Sequence, residues 1–543
     1  MRSVSSNPGG AGLPVAVAGG GPVGLITALG LSHYGMNVVL FEEDDTFSHD
    51  TKAGTILTRT LEVLDRYGAA DEVIRIALRV DEIGDIDRAT GATRSTVDLS
   101  ALAGDTRFPF VVNAPQHQLE PALRDCLEQR APGTVRMQHR VVDFRQDADH
   151  VDVIVRTPHG TRTVRAAYLL ACDGGRSRIR KVMGAKVSGY TLEQRYALVD
   201  LAVDLDIRHS RDYPYLAYFG DPAEWLILVR QPHCWRIVFP LAAGHPVPEA
   251  TELSAKARHF IGETGEIRVL GSTVYTVHHR VADRWRDGRV FLLGDAAHLI
   301  TPMWALGLNT GVLDASNLPW RLAWVLRGLA DERLLAGYER EQSLLAIRGS
   351  AQLAESARIY MSSSDTPMPA MAGGCWGVAA TRALLGVRLD VEGTGEWSMI
   401  AVGQTPAPIR VGDRLPDLAV FPATPTDTGN GASGLRLHDL CRHAFVALYF
   451  TDPRHRPHIP TPHSSVVRTY VVSRWDALPD SGLRRQQLFD PGDRLRRRLG
   501  IPVDTAVLVR PDAHIAAILP IDPADGISDP VADAYARITG CSL

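Results

Sequence analysis

The chain has 543 residues, with 58 Lys+Arg against 62 Asp+Glu, a net charge of −4, 45% hydrophobic and 22% charged residues. That is length for two or three domains with sizeable cores, and the near-balanced charge gives no reason to expect nucleic acid or an anionic membrane as partner. Six scattered cysteines without a C-x-x-C speak against a zinc site, a dithiol redox centre or a secreted disulfide framework.

The first residues, "MRSVSSNPGGAGLP", lack the apolar core of a signal peptide, and no apolar run reaches the ~18 residues that span a bilayer. A cytoplasmic protein is expected. Residues 14–42 then read strand, glycine turn, helix, strand: "VAVA", "GGGPVG", "LITALGLSHYG" and "NVVLFE". Gly19, Gly21 and Gly24 stand in G-x-G-x-x-G spacing, with Pro22 opening the helix. Gly19 allows a tight turn, Gly21 lets backbone approach a pyrophosphate, and Gly24 lets the helix pack on the strand. The helix N-terminus favours phosphate, and Glu42 at the end of the second strand can bond the adenosine ribose. A literal copy of the motif, Gly429 to Gly434, follows "ATPTDT" instead of a strand and reads as a linker loop.

Residues 187–280 alternate as strands, in "YALVDLAVDL", "YPYLAYFG", "WLILVRQ", "CWRIVFPL" and "STVYTVHHR". After them "GRVFLL" reads as a buried strand leading into "GDAAHLITPMWALGLNTG" and a helix. An NAD dehydrogenase needs no second strand–Gly-Asp–helix element. FAD does, because its ribityl chain and isoalloxazine extend beyond the ADP half. Asp295 is placed to accept from ribityl hydroxyls, and Gly307, Leu308 and Asn309 to offer amides to the pyrimidine end of the flavin. A plain N-cap is the alternative reading of Asp295. Residues 312–395 read as largely helical, interrupted by a loop at 361–374, and from about 400 a new unit of strands and short helices begins.

These motifs resemble the single-component (class A) FAD-dependent aromatic-ring hydroxylases typified by p-hydroxybenzoate hydroxylase, closest to the phenol-type branch with a thioredoxin-like tail. Three further stretches carry the likeness. "KAGTILTRTLEVLDRYG" matches a segment in which a basic residue, here Lys52 or Arg59, contacts the flavin. "QHQLEPALRDCL" places Gln116 toward the FAD. "YLLACDGGRSRIRKVMG" matches an Asp-Gly motif, with Asp173, Gly174, Arg178 and Arg180 as counterparts; for the two arginines a surface-helix role is equally open. The family usually reads Pro-Pro-x-x-Gly-Gln-Gly-x-Asn where this chain has "TPMWALGLN". Pro302, Gly307 and Asn309 are kept, while Thr301, Ala305 and Leu306 depart from the pattern and Trp304 stands in the altered wall.

The resemblance implies an α/β fold with a Rossmann-like FAD-binding domain in two parts (1–186 and 281–398), an antiparallel substrate sheet (187–280), and a thioredoxin-like domain (399–543) without C-x-x-C. Tyr215, Tyr218, Trp225, Trp235, Arg236 and Trp304 are the candidate substrate residues, the alternative for each aromatic being plain sheet packing. The implied activity is hydroxylation of a small phenolic substrate, with NAD(P)H reducing FAD and O2 adding to give a flavin C4a-hydroperoxide. Asp50 is the first candidate for the base that favours phenolate, with His49 competing. A homodimer supported by the tail fits the same picture. Of the rivals, a flavin halogenase lacks its expected W-x-W-x-I-P, a Baeyer–Villiger-type oxidation on the same fold stays open, and a non-enzymatic FAD scaffold would bind flavin without NAD(P)H turnover.

Overall fold

The computed structural model describes residues 12–47, 54–203, 205, 213–242, 244, 246, 248–261, 266–362, 388–394, 408–422, 434–451, 465–474, 486–490, 492–521 and 529–543. A six-stranded sheet runs in the order Arg286–Asp287, Val290–Leu292, Tyr168–Ala171, Val15–Ala18, Val38–Phe41, Val135–Arg136. Every pairing is parallel except the edge hairpin formed by the first two. Its central strands are continuously apolar and fully buried, as parallel strands covered on both faces must be. One face carries the helix Pro22–His33, buried on all sides between the helices Gln116–Arg130 and Leu306–Leu326. The antiparallel meander Arg140–Gln146, Val151–Thr157, Gly160–Ala166 adds Val151, Val153 and Val155 to the same core.

An eight-stranded sheet stands beside it, ordered His298–Leu299, Arg268–Ala282, Val187–Ala202, Trp235–Leu241, Leu226–Arg230, Leu216–Gly220, Glu82–Asp87, Thr93–Asp98. The strands expected between 187 and 280 are its centre, but both edges come from elsewhere. Glu82–Asp87 pairs in parallel with Leu216–Gly220, and His298–Leu299 closes the other side. Alternation along each strand splits the side chains into two layers. Trp235, Ile237 and Phe239 pack under the helix Ala250–Ile261, which the strand-only reading of this region did not anticipate. Tyr196, Tyr218, Trp225, Ile227 and Val238 pack on the opposite face, against Met303, Trp304 and Leu306.

The C-terminal unit is thioredoxin-like: a six-stranded mixed sheet, Phe421–Pro422, Gln487–Phe489, Val467–Ser473, Phe445–Phe450, Thr505–Val509, Ile515–Pro520, with short helices including Arg494–Leu499 and Pro530–Thr539. It is fastened to the first sheet's helices by aromatic edges and buried charges. Phe445 meets Trp320, Trp324 and Tyr535 edge-on, and Trp320 Nε1 donates to Asp512 Oδ2 at 3.1 Å. Arg510 joins Glu341, which also accepts from Arg321. Among the described residues, no helix is long and apolar enough to cross a membrane.

Candidate cofactor and substrate site

The glycine turn after Val15–Ala18 is built by exclusion. Gly19 has φ +105°, and a Cβ there would lie 2.3 Å from the Cys172 carbonyl oxygen; a Cβ on Gly24 would lie 2.0 Å from the Gly19 oxygen. Only glycine lets the first strand, its helix and the neighbouring strand Tyr168–Ala171 cross this closely. Gly21 differs, for a Cβ there would meet nothing nearer than Glu120 Oε1 at 4.0 Å. The space in front of Gly21 is open, and Gln116 reaches its edge by donating to Glu120 at 2.7 Å. Pro22 occupies the first turn of the helix, where a missing N–H costs nothing. Glu42 accepts from the Gly20 amide at 2.5 Å and from Asp44 at 3.0 Å, which pins the acid to the rim of the turn.

The second element arrives beside the first. Gly294 follows the strand Val290–Leu292, and Asp295 is exposed at the tip of a single 3-10 turn, Gly294–Ala296. Two buried groups set that turn. Asp314 Oδ2 accepts from the Gly294 amide at 2.8 Å and contacts His298 Nε2 at 2.8 Å, both side chains being fully enclosed. Arg180 donates to the carbonyls of Ala296 at 2.8 Å and Gly175 at 2.6 Å. Arg180 therefore acts through the turn instead of pointing into the cleft, and Arg178, bonded to the Val142 carbonyl, is exposed. Asp173 caps the helix Arg178–Val182 through Oδ2, bonding the amides of Arg178 and Ile179, while its buried Oδ1 has no partner.

Pro302 precedes a turn in which Trp304 and Ala305 have φ +59° and +56°. This is the left-handed region, so the alanine departure at 305 sits where a glycine would be unstrained. The helix Leu306–Leu326 follows, and the first amides of a helix have no partner within it. A Cβ on Gly307 would meet only the Ile300 oxygen at 3.8 Å. Leu308 is half-buried one residue on. Asn309 spends its side chain on the fold: Oδ1 accepts from the Leu57 amide at 3.0 Å and Thr60 Oγ1 at 2.6 Å, and Nδ2 donates to the Thr55 and Ala305 carbonyls.

Arg59 does not face this cleft. It is buried on the other side of the helix Thr58–Arg66, donating to Glu62 at 3.0 Å and to the Asp512 carbonyl at 3.0 Å in the C-terminal unit. Helical spacing puts Arg59 and Glu62 on one face, and that face is the one the tail covers. Lys52, His49 and Asp50 lie outside the described residues.

Of the substrate candidates, Tyr218, Trp225, Arg236 and Trp304 share the sheet face turned to the flavin helix. Trp304 stacks on Tyr218 with centroids 5.0 Å apart, and Trp225 meets Tyr196 edge-on at 4.9 Å. Burial pushes the Tyr218 hydroxyl well above its usual range and Tyr196 to about 12, so both stay protonated near neutrality. Trp235 points into the opposite layer, because strand alternation sends 235 and 236 to opposite faces. Tyr215 lies between the layers, edge-on to Trp235. Arg236 is held by Asp200 through two bonds.

The open space at Gly21 and Gly307, the exposed Asp295 and the unpartnered Asp173 Oδ1 between them suit an extended dinucleotide, with pyrophosphate at the first turn and ring at the second helix. A sequence profile described as FAD binding domain matches residues 12–349. The chain belongs to that family, the FAD-dependent aromatic hydroxylases. This hydroxylase is 29% identical over 364 residues to para-nitrophenol 4-monooxygenase of Pseudomonas sp. (strain WBC-3), covering 65% of the chain and 88% of that protein. It is 27% identical over 532 residues to 6-methylpretetramide 4-monooxygenase of Streptomyces rimosus, covering 93% of the chain and 90% of the relative. The flavin-dependent monooxygenase PieE, solved in complex with FAD and substrate, superposes with a TM-score of 0.76 over 97% of this chain and 99% of that one; at 23% identity it shows the fold.

Sequence reasoning missed Asp200 and Gln231 as members of this region. Asp314 stands three residues beyond the Gly294–Gly311 stretch, and its bond to the Gly294 amide needed the fold. No local signal marks the other two, because each gains its neighbours from distant segments.

Proposed function

We propose that this hydroxylase inserts one oxygen atom of O2 into a phenolic or comparable aromatic ring, using NAD(P)H as electron donor. The carrying observation is Trp304, which belongs to the turn opening the flavin helix and also stacks on Tyr218 of the sheet. Cofactor wall and aromatic face are thereby one surface. FAD, once bound, supplies the electron transfer and O2 activation.

The chain's own groups do the rest. Gly21 and the first amides of Pro22–His33 receive the pyrophosphate, with Gln116 and Glu42 at the rim. Asp295 and the orphaned Asp173 oxygen are the acceptors for hydroxyls, and the N-terminus of Leu306–Leu326, with Gly307, Leu308 and Asn309, opposes negative charge on the ring. The apolar layer around Tyr196, Tyr218, Trp225 and Trp304 excludes water from the reacting carbon. Its tyrosines, held protonated, do not serve as bases. That task falls to Asp50, with His49 as competitor, since a free phenol titrates near ~10. The same reading has residues 187–280 carrying the substrate, the tail serving structure, and the enzyme working in the cytoplasm, where NAD(P)H is regenerated.

The test is NAD(P)H oxidation by the FAD-loaded enzyme with a panel of phenols under labelled O2. One labelled oxygen on the ring is the expected result. A labelled lactone or ester would move the enzyme to a Baeyer–Villiger reaction, and peroxide alone across the panel would count against a phenolic substrate.

A further inference from the structure

A buried carboxamide at a turn of the substrate sheet has no partner. Gln231 is 1% exposed, and neither Nε2 nor Oε1 makes a hydrogen bond. Such groups destabilise a fold, and native chains keep them where something else uses them. The residue is not loosely placed. Its amide donates to the Cys234 carbonyl at 2.8 Å, and Arg230 Nη1 donates to the carbonyls of Gln231 and Cys234 at 2.9 and 3.0 Å. Asn113 Nδ2 donates to the Arg230 carbonyl at 2.9 Å. The tight turn between two central strands is thus clamped, and the carboxamide leaves it in a set place.

That place adjoins the cofactor segment and the aromatic face. A Cβ on Gly54 would lie 2.7 Å from Gln231 Nε2 and 3.3 Å from Arg236 Nη1. Arg236 is on the same side of its strand as Val238, hence on the Tyr218–Trp225–Trp304 face. Its charge is already answered: Nε and Nη2 reach the two Asp200 oxygens at 2.8 and 3.1 Å, with side chains 5% and 6% exposed. The region offers a ligand a free amide donor and acceptor beside an ion pair whose two charges answer one another.

We propose that Gln231 is the polar anchor of the substrate site, selecting aromatic rings that carry a second oxygen substituent, a hydroxyl or a carbonyl. This rests on the aromatic-hydroxylase reading and narrows its substrate. The carboxamide can donate to a carbonyl or both donate to and accept from a hydroxyl.

The experiment measures equilibrium binding to the FAD-loaded, full-length enzyme, read from the perturbed flavin absorbance. Matched phenols and naphthols bear either an acetyl group or a second hydroxyl at the same position, with the unsubstituted rings as reference. The wild type should bind the substituted members on the order of tenfold or more tightly than the unsubstituted rings. Gln231→Leu should lose that margin and melt no lower than wild type, because an unpartnered amide has been removed. A residue with only a structural role would lower the melting temperature and leave ligand ranking alone. Equal binding of substituted and unsubstituted rings by wild type, or a preference for the substituted rings that survives in Gln231→Leu, overturns the proposal. Binding that follows the expected ranking with no labelled oxygen entering any ring would instead overturn the hydroxylase reading.

Discussion

Replacing Arg414 by methionine should loosen the tail from the flavin unit and, through one helix, the flavin itself. Glu62 is 2% exposed and lies between two guanidinium groups, Arg414 on the C-terminal unit and Arg59 on its own helix. Arg414 Nε donates to it at 2.8 Å, and Nη2 makes a second, closer bond while also reaching the Asp105 carbonyl at 3.0 Å. Thr106 donates to Glu62 at 2.7 Å. Breaking a buried pair costs about 3–5 kcal/mol, chiefly by stranding the remaining charge. Here Arg59 and Thr106 stay behind, so about 3 kcal/mol is expected, a large part of the ~5–15 kcal/mol that holds a domain folded. With ~2–4 °C lost per kcal/mol in a unit of this size, the melting temperature should fall by roughly 6–12 °C. The same helix, Thr58–Arg66, gives Thr60 to Asn309 at the start of the flavin helix, so FAD affinity should fall as well. The assay is thermal unfolding by tryptophan fluorescence, with FAD titration at a temperature where both proteins are folded. Arg414→Met combined with Glu62→Met and Arg59→Met should recover most of the loss, because all three members of the buried charge triad are then removed together. A single variant melting within about 2 °C of wild type, or a triple variant worse than the single, would refute the account.

Three further outcomes follow from the same geometry. Gly21→Ala should leave apo stability within about 1 kcal/mol, since its Cβ enters open space, yet weaken FAD binding by on the order of a hundredfold, whereas Gly24→Ala should fail to fold; FAD titration of folded Gly21→Ala at wild-type affinity would sink the pyrophosphate assignment. Ala305→Gly relieves a left-handed alanine worth about 1 kcal/mol but frees the unfolded chain by a comparable amount, so denaturant midpoints should rise slightly or hold, and a clear fall would contradict the backbone reading. Asp417 is pushed up to about 6 by burial first and then by the Glu62 carboxylate. Its folded value lies above the unfolded ~3.9, so this contribution is full below pH ~4 and is lost as pH rises through about 6, on the order of 2–3 kcal/mol in all. Asp417→Asn should therefore flatten the pH dependence of unfolding between 4 and 7, and an unchanged slope would count against it.

The cofactor half of the site was legible because its determinants are local. Gly19, Gly21, Gly24 and Glu42 sit within one strand–helix–strand unit, and Asp295 follows a fully apolar strand, so spacing alone prescribes a turn, a helix N-terminus and an acid at a strand end. The absence of C-x-x-C and the tail's alternation of strands and short helices were equally readable, and the six-stranded sheet bears out the thioredoxin-like architecture.

What the tertiary structure decided are the pairings between distant segments. Period-2 alternation says that Trp235 and Arg236 face opposite ways, but only the helix Ala250–Ile261 on one face and Trp304 on the other settle which way is inward. A basic residue after the second strand reads as a flavin contact until the tail is seen covering Arg59. Glu62, Gln231 and the strand Glu82–Asp87 carry no motif, and their roles come from neighbours tens to hundreds of residues away. A sequence records each residue's preferences along the chain. Which buried charge meets its counter-ion, and which amide is left without a partner, is fixed only when separate layers close on one another and exclude water.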